Sequence, residues 1–261
     1  MGMSPRLLRP RATGFNPKSI SGLAFWLDAA DASTVTLVSG NVSAWASKSG
    51  SASPRTFTQT TANNRPTTTT VNGKAAILFN GTTTSLGNTT ADNVENRTWF
   101  VVAVRGDVST RQCVVASSYE GLTLYGSWNS IGFSATNGYP NWNSRQNSSP
   151  SASYRAVSTT ASTSVPTVFR YQYIQSEINA QNYINIVRRA NGSADNANGN
   201  GIENYTAGIY LGAVNQVPAS GQYAFFLSGS ICEILAYDAF LTSTQCTSVE
   251  NYLKSKWGVS Y

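Results

Sequence analysis

The sequence predicts an all-β fold: a two-sheet antiparallel sandwich with one short C-terminal helix and an extended N-terminal arm. Three observations predict it. Charged residues make up 11% of the 261, against about 25% in ordinary soluble proteins, and Ser, Thr, Asn and Gly fill the deficit. Aromatic residues are 11% of the chain and alternate with polar ones between Asn-Gly and Ser-Gly pairs, the pattern of strands joined by tight turns. Finally, the segment 226–258 reads as a strand running into a helix with a marked start and stop. A chain of this length suits one all-β domain in a single piece.

Taken in order, residues 1–19 form a basic, proline-broken arm and residues 20–261 the domain. Arg6, Arg9, Arg11 and Lys18 supply four of the six net positive charges, so the body is nearly neutral. Pro5, Pro10 and Pro17 forbid a continuous helix in the arm. Strands are expected at 23–27, 75–79, 98–104, 113–116, 122–125, 131–134, 167–174, 182–188, 208–211, 223–226 and 229–237, enough for two packed sheets. The Ser/Thr/Ala-rich stretch 148–166 reads as a loop, and 191–205 as a polar surface excursion. On the last strand, alternation puts Ile231, Glu233, Leu235 and Tyr237 on one face and Cys232, Ile234 and Ala236 on the other. Thr242 and Gln245 then form a capping box, Leu241 can staple onto Cys246, and Gly258 stops the helix after Lys254 and Lys256. Cys246, Val249, Leu253 and Trp257 make its apolar stripe.

The sequence also excludes much chemistry. It has no histidine, which removes histidine-dependent nucleophilic catalysis and histidine-ligated zinc. The glycine-rich 192–201 lacks the lysine and helix of a phosphate-cradling loop. Glycoside hydrolysis remains the one plausible reaction, since it needs only two acids about 5–9.5 Å apart. Yet Asp28 with Asp31, and Asp92 with Glu95, stand three apart, and on a strand such pairs face opposite ways. Glu233, in mid-strand among apolar residues, reads as a structural acid tied to a neighbouring loop by an Arg or backbone amides. Asp31 opens an Asx or capping turn. Cys113, Cys232 and Cys246 read as small buried hydrophobes with reduced thiols. No signal peptide and no membrane span is visible.

Two stretches suit binding. Between 128 and 154, aromatic residues alternate with amides, as a neutral saccharide requires: rings for its apolar face and amides for its hydroxyls. The carbohydrate-contacting set drawn from this stretch is Trp128, Asn129, Tyr139, Asn141, Trp142, Asn143 and Arg145, with packing of loops or subunits as the alternative use of the same residues. In the arm, Arg6, Leu7, Leu8, Arg9, Arg11 and Phe15 are the residues for docking on a partner. Nucleic-acid contact and a frayed tail are the other readings, and four charges over eighteen residues are a thin footprint for nucleic acid.

The blocks Gly22 to Thr36, Trp45, Lys48-Ser49-Gly50, Arg65-Pro66 and Asn72 to Gly81, with the C-terminal strand and helix, resemble the concanavalin A-like, laminin-G-like jelly-roll domains of tailed-phage virion proteins and bacterial secreted proteins. The resemblance spans 20–258. It implies a jelly roll and a structural role for Glu233. The glucanases of this fold carry ExDxxE, which is absent here. Some of these jelly rolls bind calcium; Ser47 and Asn80 stand where relatives often have Asp, which weakens that implication without removing it, so the expectation is no cofactor, with calcium as the open alternative. With the uncleaved basic arm and the neutral body, the expected function is non-enzymatic. It is a tailed-phage virion subunit, a capsid decoration or fibre part made in the host cytoplasm and released by lysis. Such a subunit would be anchored to other virion proteins by its arm, be homo-oligomeric and trimeric by guess, and touch a cell-surface glycan. The alternative is a carbohydrate-binding, lectin-like module of an exported protein, and a glycoside hydrolase comes third.

Overall fold

The computed structural model describes residues 14–52, 54–91, 96–106, 110–118, 128–133, 140–145, 164–176, 183–190, 193–200, 208–217 and 222–259. Two antiparallel sheets pack face to face, and one helix closes the outer face of the first.

The first sheet contains β1 (Leu23–Asp28), β5 (Thr67–Val71), β6 (Lys74–Asn80), β8 (Asn96–Arg105), β12 (Thr167–Ser176), β13 (Tyr183–Ala190), β14 (Ser193–Asn200) and β18 (Ser228–Tyr237). Its order is β14-β13-β12-β8-β18-β6-β5. Strand β18 is the hub: β8 lies along one side, while β6 and β1 share the other, β6 against its first half and β1 against its second. The second sheet contains β2 (Val35–Val38), β3 (Asn41–Ala46), β4 (Thr56–Thr58), β7 (Leu86–Asn88), β9 (Gln112–Ser118), β10 (Trp128–Phe133), β11 (Pro140–Arg145) and β15 (Ile209–Leu211), in the order β11-β10-β9-β15-β7-β4-β3-β2. A small hairpin of β16 (Val214–Val217) and β17 (Gln222–Ala224) completes the strands described.

The core between the sheets joins Phe25, Leu27, Trp45, Phe57, Phe79 and Phe169, among others. A second apolar cluster lies outside the first sheet, where Trp26, Phe100, Cys232, Leu235 and Tyr237 meet Cys246, Val249, Leu253 and Trp257 of α1 (Ser243–Trp257). The helix begins at the expected capping box, and Gly258 ends it in the left-handed conformation, φ 66°. All three cysteines are buried, and none is in a disulfide. Ile20 belongs to the outer cluster, Pro17 is buried, and its carbonyl accepts a hydrogen bond from the Tyr237 hydroxyl at 3.0 Å. The last part of the arm is thus fastened to the body.

Several strands depart from the sequence expectation. Strands β2, β4, β5 and β7 are short, and β14 holds no apolar residue larger than alanine, so alternation does not reveal them; ladder pairing to a neighbour makes them strands. The polar stretch expected as a surface excursion therefore contributes β14, paired along its length with β13. The strand expected at 122–125 falls outside the described residues. On β18 the faces differ from simple alternation. The register against β8 shifts between Ile231 and Glu233, so Ile231 joins the inner core while Cys232 joins the outer cluster. One extra residue in the strand, a β-bulge, turns Cys232 and Glu233 to the helix side together.

Candidate functional site

The first concentration of polar chemistry lies between β18, β1 and α1. Glu233 is 0% exposed, and its carboxylate accepts four hydrogen bonds. Oε1 takes them from the Trp26 indole at 2.6 Å and the Tyr252 hydroxyl at 2.8 Å; Oε2 takes them from the Trp257 indole at 2.6 Å and the Lys256 ammonium at 2.8 Å. The expected tie to an Arg or backbone amides is replaced by two indoles, a phenol and a lysine. The sequence signal was the placement of Tyr252, Lys256 and Trp257 within about one and a half helical turns, legible only with the strand partner known.

Around this carboxylate the charges alternate. Lys256 also reaches Asp28 at 2.7 Å; Asp28 pairs with Lys48; and Lys48 meets Asp31 at 3.1 Å while lying 4.2 Å over the Trp26 ring. Asp28 and Asp31 therefore converge rather than diverge, because Asp31 sits in a turn, capping a short 3-10 helix through Ser33, and not on the strand. The Lys48 ammonium occupies the place between the two carboxylates that a cation would take. Among the described residues no group of three metal-binding side chains forms. Ser47 instead accepts from the Trp26 amide, and the Asn80 side chain caps the turn at Thr82, Thr83 and Thr84.

Burial, then the Asp28 charge, pushes the Glu233 carboxyl above the ordinary glutamate value, while Lys256 and Trp257 pull it back. Four donors to two oxygens define an ionised carboxylate with no lone pair left for a substrate. Burial also raises Tyr252 and Tyr237 above the ordinary tyrosine value, with the Glu233 charge adding to both. For Lys48, burial opposes the charge, but hydrogen bonding and the charge of Asp28 raise it overall. For the two tyrosines and Lys48, raised in this way, stability is complete below their unfolded values and is lost as pH rises toward the folded ones. The melting temperature should therefore fall above about pH 10, where free tyrosine and lysine titrate. Thermal unfolding followed from pH 8 to 11 checks this, and Tyr252→Phe should make the fall shallower.

The second concentration lies at one end of the second sheet. Strand β10 pairs with β11 in the register Trp128↔Arg145, Asn129↔Ser144, Ser130↔Asn143, Ile131↔Trp142 and Gly132↔Asn141. Ile131 and Phe133 belong to the inner core, and residues directly opposite on antiparallel strands share a face. Asn129 and Trp142 thus occupy inner-face positions. Trp128, Asn141, Asn143 and Arg145 occupy outer-face positions and form one group, from which the register separates the other two. Tyr139 lies outside the described residues, as do Arg6, Leu7, Leu8, Arg9 and Arg11. Phe15 is partly buried against Tyr252 of the chain's own helix, with ring centroids 6.1 Å apart.

No family model matches the chain, and no curated protein sequence matches it. Solved structures do. Domain 4 of AbnA, a GH43 extracellular arabinanase from Geobacillus stearothermophilus, solved in complex with arabinotriose, aligns over 87% of this chain and 97% of its own, with TM-score 0.60 and 14% identity. The Trypanosoma rangeli sialidase in complex with sialic acid aligns over 91% of this chain, with TM-score 0.59 and 11% identity. The K499G mutant of NanB sialidase from Streptococcus pneumoniae covers 66%, with TM-score 0.51 and 13% identity. This chain spans nearly the whole of the arabinanase domain but 33% and 27% of the two sialidases. The chain has the fold of β-sandwich domains found in glycan-processing enzymes. Identities this low speak for the fold alone.

Proposed function

We propose that this chain is a carbohydrate-binding, lectin-like module, non-enzymatic, with its site on the outer face of β10 and β11. The reading is carried by the register of that hairpin, which groups an aromatic residue, two amides and a guanidinium on one face: Trp128, Asn141, Asn143 and Arg145. A ring of this kind stacks on the apolar face of a sugar, and the amides serve its hydroxyls. The arabinanase domain with arabinotriose supports the same reading, since it corresponds to the chain over almost its full length. Both observations favour binding of glycans over the virion-subunit role. The Glu233 carboxylate, saturated by four donors, supports the non-enzymatic part.

The test is a glycan array with the full chain, followed by calorimetry on the strongest ligand. Trp128→Ala is expected to weaken binding at least tenfold, about 1.4 kcal/mol. Trp142→Ala, at an inner-face position, should instead lower the melting temperature and leave affinity within about threefold, about 0.7 kcal/mol. A chain that binds no saccharide, or a Trp128→Ala variant with unchanged affinity, would sink the reading.

A further inference from the structure

The two sheets differ sharply in charge. The first carries Asp28, Lys74, Arg97, Arg105, Arg170 and Glu233, among others, whereas the eight described strands of the second hold a single charged residue, Arg145. Everything else in those strands is apolar, hydroxyl, amide or glycine. The chain is also free of Asp and Glu from 121 to 176. Arg170, a cation of that stretch, is buried and paired with Glu250 at 3.0 Å. Arg145 stands directly opposite Trp128, which stands opposite Ser118 on its other side. The register thus sets the one charge of these described strands beside the aromatic residue of the outer-face group.

We infer that the ligand of this face is a carboxylated sugar, a uronic or sialic acid unit, whose carboxylate pairs with Arg145 while its ring meets Trp128. The inference rests on the carbohydrate-binding reading and narrows it. A neutral saccharide needs only the amides and hydroxyls that the sheet already supplies in number; a guanidinium adds recognition of a planar anion through two parallel hydrogen bonds. The described strands of this sheet hold no Asp or Glu, so they set no like charge against a carboxylate paired with Arg145. Among the described strands β11 is also the last of its sheet, and at an edge a charge can serve instead to block pairing with another chain. The two roles predict different results.

The experiment is calorimetry of the full chain with two matched pairs, trigalacturonate against its methyl ester and sialyllactose against lactose, at low and at high salt. One acidic member should bind at least tenfold more tightly than its neutral match, and the pair that shows the preference identifies the source of the carboxylate. The preference should shrink with salt, fall to within about twofold in Arg145→Gln, and survive in part in Arg145→Lys, whose charge lacks the planar fork. Equal binding of acidic and neutral members overturns the inference and leaves the carbohydrate reading standing. An Arg145→Gln variant that keeps the preference, or that self-associates with unchanged binding, overturns it in favour of the edge-guarding role. Binding of none of the four, together with an empty array, overturns both readings.

Discussion

Replacing Glu233 by glutamine should cost the protein about 3–5 kcal/mol, lowering its melting temperature by roughly 10 °C at this chain length. The substitution keeps size and shape and removes only the second acceptor and the charge. Glutamine Oε1 can still accept from two donors, but its NH2 group then confronts two more, the pair of Trp257 and Lys256 if the amide keeps the native orientation. Two donors face to face in a buried site each forfeit their partner, and Lys256 loses one of its two carboxylates. Glu233→Asp tests reach rather than charge: a side chain one methylene shorter cannot serve both indoles, so the loss should be comparable. Thermal unfolding with near-ultraviolet circular dichroism reads both effects, the second through the environments of Trp26 and Trp257. A Glu233→Gln protein melting within a degree of the parent would show that the helix is held by its apolar stripe alone.

The second large effect is expected at Gly212. Its φ is +78°, where any side chain is strained, and a Cβ there would stand 2.1 Å from Cδ1 and 2.3 Å from Cε1 of Phe79. Neither side can yield easily. The Gly212 amide donates to the Val114 carbonyl at 2.9 Å, its carbonyl accepts from Leu227 at 2.8 Å, and Phe79 is 1% exposed in the inner core. Gly212→Ala should therefore cost about 3 kcal/mol or more, about 1–2 from the left-handed backbone and the rest from overpacking. Gly40→Ala is the control, because Gly40 has φ +80° and nothing within 4 Å of the added carbon; it should show the backbone part alone. Denaturant unfolding of both variants separates the two contributions. Equal losses at the two positions would mean that the Phe79 ring moves aside freely.

The sequence by itself determined the all-β class, the main apolar strands and the C-terminal helix with both of its ends. These follow from local rules: alternation marks strands that bury one face, and caps depend on residues three apart. The buried cysteines and the Asx turn at Asp31 are legible for the same reason. Short, hydroxyl-rich strands such as β4 and β5 carry no such mark, because pairing to a neighbour distant in sequence forms them.

Tertiary structure alone decided the partners of Glu233. Trp26 lies 207 residues away from it in the chain, and the shift of register that turns Glu233 and Cys232 to the same side is set by pairing with β8. The convergence of Asp28 and Asp31 on Lys48 likewise needed the turn to break the strand. For the binding face, composition could gather aromatic and amide residues into one stretch, but only the pairing of β10 with β11 could divide Trp128 from Trp142. A residue's face is a property of two strands in register, and one strand's sequence does not contain it.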